Sequence, residues 1–187
     1  TEGEPITELD VPELTGSVQF YDIFMEALQD ISPVPVRFME IDGEAKGYYH
    51  QTEKYIAIKE DMSNVQTMKT GVHEVSHALL HDREVMDAEG VLKDQTTKEV
   101  EAESIAYIVC NHFGLDTSEY SFTYIASWCE SRDMKALKAS MDTIRKASAE
   151  IIGNIEEQMH ELERENTMQY EEKEASATRQ EKLEQDS

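Results

Sequence analysis

The sequence predicts an α+β domain, mostly helical, in which a small antiparallel sheet precedes a helix bearing two histidines one turn apart. Three features lead there. Short runs of strand-forming residues crowd between Val36 and Ile58, apolar residues on either side of them recur at helical spacing, and His73-Glu74-Val75-Ser76-His77 falls within one of the helical stretches. A repeat of about 3.6 residues against one of 2 is what separates the two element types. The chain of 187 residues is long enough for one compact core and an appendage. Residues 1–16 read as a flexible lead-in, 17–149 as the folded domain and 150–187 as an acidic tail, helical or disordered.

Ser17 can cap a first helix from Val18 to about Asp30, on which Phe20, Tyr21, Phe24, Ala27, Leu28 and Ile31 gather on one side. Ser32-Pro33-Val34-Pro35 stops it, because proline lacks the amide proton a helix needs. Val36 to Ile41 reads as a strand and Asp42-Gly43 as a turn, and Tyr48-Tyr49-His50 and Tyr55-Ile56-Ala57-Ile58 as two more strands. Asp61, Ser63 or Asn64 can cap the next helix, which runs through Val65, Met68 and Val72 to Leu80 or His81. A loop of mixed polarity is expected from Asp82 to Thr97. Lys98 to about Phe113 is then helical, with Ala102, Ala106, Val109 and Phe113 on one stripe and Gly114 ending it at the C′ position. Ser121 to Glu130 and Met134 to Met159 complete the helices, and the stretch from Glu161 to Ser187 has few large apolar residues.

The pentapeptide at 73–77 is an H-E-x-x-H motif, and its spacing has a chemical consequence. Residues four apart on a helix lie one above the other, so both imidazoles can converge on one ion. Glu74 is turned about 100° from His73, so its carboxylate reaches a water at the metal rather than the metal itself. Neutral imidazole suits Zn²⁺, and a catalytic zinc takes three protein ligands. The helix from Lys98 offers the third: Glu99 and Glu103 flank the Ala102–Ala106–Cys110 stripe, whereas Glu101 falls toward the opposite border near Ile105 and Ile108. Two carboxylates four apart suit a ligand and a hydrogen-bond partner for a ligating histidine. Glu99 is taken as the ligand and Glu103 as the partner, with their exchange open. His81 continues the series one turn on, as a site-lining residue, an alternative ligand or a helix-end histidine favoured by the dipole. Tyr124 is a candidate oxyanion donor, against the plainer reading of a core or rim tyrosine. Trp128 reads as core.

A formal charge of −23 repels phosphate backbones, so direct nucleic-acid binding by this fragment is not expected. Between Glu150 and Ser187 there are 12 acidic and 4 basic residues, which concentrates that charge in the tail. Cys110 and Cys129 form no CxxC pair and read as reduced thiols, with the cytoplasm as the expected location. No stretch reaches the roughly 18 apolar residues of a membrane span. No signal peptide or initiator Met is visible, so a piece of a longer protein is expected.

Tyr55-Ile56-Ala57-Ile58, His73-Glu74-Val75-Ser76-His77-Ala78 and the run from Glu99 to Ala106 together resemble the ImmA/IrrE-type metallopeptidase domain, a zincin-like fold with a gluzincin arrangement. The Glu99-x-x-x-Glu103 helix ending in Cys110, followed by Tyr124-Ile125-Ala126-Ser127-Trp128, looks still closer to the metallopeptidase domain of ArdC-like antirestriction proteins. The similarity covers roughly residues 33–130. It implies a protein of mobile genetic elements, in which a single-stranded-DNA-binding domain commonly precedes the peptidase-like one. Two departures stand out: Glu101 replaces an apolar residue of the ArdC-like pattern, and Glu103 occupies a place often Asn or Asp in the ImmA/IrrE group. The expected function is zinc-dependent hydrolysis of a protein or peptide. The alternative is a zinc-stabilised acidic module that inhibits a host nuclease by protein contacts alone. A weaker expectation is a partner seam along Ile144, Ile151, Ile152, Ile155 and Met159, which packing within the domain explains equally well.

Overall fold

A computed structural model describes residues 17–115, 126, 128–130 and 132–185. Helix α1 (Ser17–Ile31) is followed by strands β1 (Val36–Met39), β2 (Gly47–His50) and β3 (Tyr55–Lys59). Helices α2 (Asn64–Leu80), α3 (Arg83–Glu89), α4 (Gln95–His112) and α5 (Met134–Gln185) complete the described chain. The mostly helical α+β class is what the sequence pattern calls for.

The sheet differs from expectation in its pairing. It is mixed, with the order β1-β3-β2. Strand β2 runs antiparallel to β3, Gly47 facing Ile58 and His50 facing Tyr55. Strand β1 lies parallel to β3, from Val36 opposite Ile56 to Met39 opposite Lys59. The reason lies in β3. Tyr55, Ile56, Ala57 and Ile58 are all buried, so this strand has no solvated face and takes the centre. Both earlier strands are then edges, and the chain crosses from one edge to the other through Gly43 at φ 82°.

Ser63 caps α2, its hydroxyl accepting from the Gln66 amide at 3.3 Å. Gly71 lets this helix lie close against α1: a Cβ there would stand 2.6 Å from Leu28 Cδ2. The expected loop from Asp82 to Thr97 instead contains α3 and the first turn of α4. Asp82 caps α3 through the Glu84 amide, Gly90 ends it at φ 65°, and Asp94 caps α4 through the Thr97 amide at 2.8 Å. A seven-residue helix that buries only Met86 shows no apolar stripe, so only its caps could have announced it. At the far end of α4 the Leu115 amide reaches the Cys110 carbonyl and Gly114, at φ 71°, reaches that of Asn111. That is a Schellman closure, with glycine in the left-handed position it demands.

Helix α5 is continuous to Gln185, so of the two forms expected for the acidic tail, helical or disordered, the described residues take the helical one. Ala147, Ile151, Ile155 and Met159 belong to the same core cluster as Phe24, Leu28, Ile58, Val72 and Ile105, so core packing runs past residue 149. From Arg164 to Ser176 the helix is solvated on all sides. Of the expected helix from Ser121 to Glu130, only Ala126 and 128–130 are described, and they are helical. Trp128 is buried and donates from Nε1 to Thr97 Oγ1 at 3.3 Å. Among the described residues no helix is long and apolar enough to cross a membrane.

Strand β2 sits against α2 where the two chains approach most closely. A Cβ on Gly47 would stand 2.8 Å from the Ala57 carbonyl oxygen and 2.7 Å from Thr70 Cγ2. Backbone cannot yield there without moving β2 off β3. Gly47→Ala is therefore expected to destabilise the domain by about 1–3 kcal/mol, the range for overpacking a tight site. A thermal melt checks this, and an unchanged melting temperature contradicts the close approach.

Candidate metal centre

Helix α2 presents His73, Glu74, His77 and His81 on adjoining faces, and α4 packs across it with Glu99, Glu101 and Glu103. The two imidazoles of the motif do converge. His73 Nε2 and His77 Nε2 are 3.1 Å apart, and Glu99 Oε2 lies 3.4 Å from the first and 3.5 Å from the second. These three donors form the one metal-competent cluster of histidine, cysteine and acidic side chains among the described residues.

Glu103 stands behind His73 instead of in this triangle. Its Oε2 is 3.3 Å from His73 Nδ1 and its Oε1 is 2.8 Å from the ammonium of Lys69, itself almost wholly buried. Burial alone would pull the His73 pKa down, but hydrogen bonds to Glu103 and Glu99 overcome it and push His73 up to about 9. Hydrogen bonding from His73 above all holds the Glu99 carboxyl far below the usual carboxylate range. Gln95 hydrogen-bonds the other oxygen of Glu99 and steadies the side chain from its own helix.

Glu74 is 7% exposed and does not join the triangle. Burial raises its pKa, against the pull of the neighbouring His73 and His77, and the backbone amide of Tyr49 hydrogen-bonds its carboxylate. The Tyr49 hydroxyl donates to Asp82 at 2.6 Å, and Lys54 reaches the same oxygen at 2.6 Å. Asp82 thus ties the β2–β3 hairpin to the end of α2 and fixes the strand whose amide holds Glu74. A cleft of about 380 Å³ opens over the three donors, walled by Tyr48, Tyr49, Gln51, Gln95 and Lys98.

His81 lies outside the donor triangle. It is 1% exposed, its Nδ1 3.0 Å from His77 Nδ1 and its Nε2 2.9 Å from Glu101 Oε2. Tyr124 lies outside the described residues. The sequence pattern gives no role to Glu101 or Lys69. A glutamate replacing an apolar residue in a helix stripe was the available signal for Glu101. Lys69 offered none, since its partner comes from another helix.

The Peptidase_M78 model, described as the IrrE N-terminal-like domain, matches residues 29–123. The chain belongs to this family. Membership makes the domain metallopeptidase-like and implies a metal, for which His73, His77 and Glu99 are the available donors. The Peptidase_M78 match spans the interval from the end of α1 past α4, so it takes in every residue of the triangle. The chain is also 36% identical over 104 residues to an uncharacterized Bacillus anthracis protein, pXO2-81. That similarity covers 55% of this chain and 17% of the relative, so the chain spans a small part of the curated protein it matches. No solved structure matches significantly.

Proposed function

We propose that this domain is a zinc-dependent peptidase in which His73, His77 and Glu99 hold the ion and Glu74 is the general base. One observation carries the reading. Four ligands arranged tetrahedrally at the usual zinc distances of about 2.0–2.1 Å are separated by about 3.3–3.4 Å from one another. The three donors here are 3.1, 3.4 and 3.5 Å apart. Two imidazoles and one carboxylate are moreover a donor set of catalytic zinc, which leaves a position open.

When bound, zinc supplies Lewis acidity that polarises a carbonyl and brings the pKa of a water toward about 7. The chain's own residues supply the proton transfer. Burial makes Glu74 a stronger base than a solvated carboxylate, suited to take a proton from the attacking water and return it to the leaving amine. The Tyr49 amide keeps that carboxylate aimed, and the cleft along β2 has room for an extended peptide segment. The similarity of the Glu99–Cys110 helix and the Tyr124–Trp128 segment to ArdC-like proteins supports an antirestriction-type protein of a mobile element. A cytoplasmic location accords with the free thiols of Cys110 and Cys129; burial raises the Cys110 thiol to about 12 and leaves it inert.

The test is zinc analysis together with cleavage of a peptide library read by mass spectrometry. Glu74→Gln is expected to keep the wild-type zinc content and lose about 10²–10⁴-fold in rate, the usual contribution of a positioned base. Equal cleavage by the two proteins would remove Glu74 from the chemistry.

Zinc must also displace a proton from His73. Since its partners hold that proton up to about pH 9, apparent zinc affinity is expected to rise with pH below 9 and level off above it. Release of one proton per ion makes the rise about tenfold per pH unit. Chelator competition at pH 7 and pH 8 reads this directly, and a flat profile contradicts it.

A further inference from the structure

We propose that His81 and Glu101 form a buried relay that sets the tautomer of His77 and aims its Nε2 at the metal position. The proposal rests on the reading of His77 as a ligand. Its basis is the order of polar atoms from the triangle inward. His77 Nδ1 faces His81 Nδ1 at 3.0 Å, and His81 Nε2 faces Glu101 Oε2 at 2.9 Å. Glu101 is fully buried and also accepts from Lys93 Nζ at 2.6 Å and Ser140 Oγ at 2.7 Å.

Hydrogen-bond chemistry assigns the protons along this line. An ionised carboxylate only accepts, so the His81 nitrogen facing it carries a proton. A neutral imidazole has one donor and one acceptor nitrogen, so His81 Nδ1 is then bare and accepts. His77 Nδ1 is accordingly the donor across the 3.0 Å contact, and its Nε2 lone pair faces His73 Nε2 at 3.1 Å, beside the metal position. Three donors converge on the buried Glu101, the Lys93 ammonium, the Ser140 hydroxyl and the facing His81 nitrogen, which is the surrounding an ionised carboxylate takes.

The relay gives Glu101 and His81 a common purpose and explains a charged residue in an otherwise apolar stripe. It also makes the two ligating histidines unlike. His73 leans directly on a carboxylate, Glu103, whereas His77 is reached by its carboxylate only through a second imidazole. Both are positioning arrangements of the kind that orient metal-bound imidazoles.

Nitrogen-15 NMR of histidine side chains in the wild-type protein tests the proton assignment without any substitution. The expected signature is His81 protonated at Nε2 and bare at Nδ1, with scalar coupling across the His77 Nδ1–H···Nδ1 bond. His81 protonated at Nδ1 would overturn the relay. Zinc affinity by chelator competition then tests its purpose. Glu101→Gln, which keeps the volume but loses the carboxylate, and His81→Phe, which keeps a flat ring but loses the acceptor, are expected to bind zinc about 10–100-fold more weakly. His81→Gln supplies a carbonyl oxygen in place of the acceptor nitrogen and is expected to recover part of that loss, which a purely space-filling role would not produce. Affinities within twofold of wild type for both Glu101→Gln and His81→Phe would overturn the proposal. A wild-type protein that binds no zinc would instead overturn the metal reading, and the His81 tautomer would still decide the relay.

Discussion

Replacing His73 with alanine is expected to reduce bound zinc from about one ion per chain to a trace after dialysis, because it removes one of the three proposed ligands. The loss should exceed the roughly 10–100-fold cost of removing a residue that only supports a ligand. His73 touches both other donors of the triangle, at 3.1 and 3.4 Å, and no other described histidine can replace it. His81 is the nearest candidate, but Glu101 and His77 hold both of its ring nitrogens. Glu103→Ala should cost less than His73→Ala, since Glu103 reaches the site only through the far nitrogen of that ring. Elemental analysis of the two variants beside wild type ranks them. Wild-type zinc content in His73→Ala would end the three-donor account.

A chain stopped after Ala149 is expected not to fold, whereas one stopped after Glu163 should melt within a few degrees of the full chain. The contrast follows from where α5 does its packing. Ile151 and Ile155 are 1% and 0% exposed, and Met159 is 8% exposed, in a core shared with α1 and α4. Each such side chain contributes about 1.5–3 kcal/mol on burial, so the three together supply about 5–9 kcal/mol. A domain's whole stability is about 5–15 kcal/mol. Beyond Leu162 no side chain of the helix described is buried, so the remaining turns contribute little to that core. A cooperative melt of the chain ending at Ala149 would show that this core closes without the helix.

Much of the local architecture was legible in the residues. The prolines at 33 and 35, Gly114 and the capping candidates Asp61, Ser63 and Asn64 mark their helix ends by backbone chemistry that depends on a few neighbours alone, though only the structure picks Ser63 of the three. Helix α3 was not legible, because a helix that buries one methionine leaves no periodic trace. The place of β3 between β1 and β2 was also hidden. Strand order depends on which strand has two faces to bury, and that is settled by the helices packed over the sheet.

The sequence by itself determined that His73 and His77 share a helix face with Glu74 turned aside, since the pitch of a helix is a local property of the backbone. Only the tertiary structure decided what the three glutamates of α4 do. Glu99 turns to the Nε2 atoms of His73 and His77, Glu103 to the back of His73, and Glu101 to His81. Their spacing along one helix distinguishes them only by angle. Which angle faces α2, and at what distance, follows from how the apolar faces of two helices far apart in sequence settle against each other and against α5.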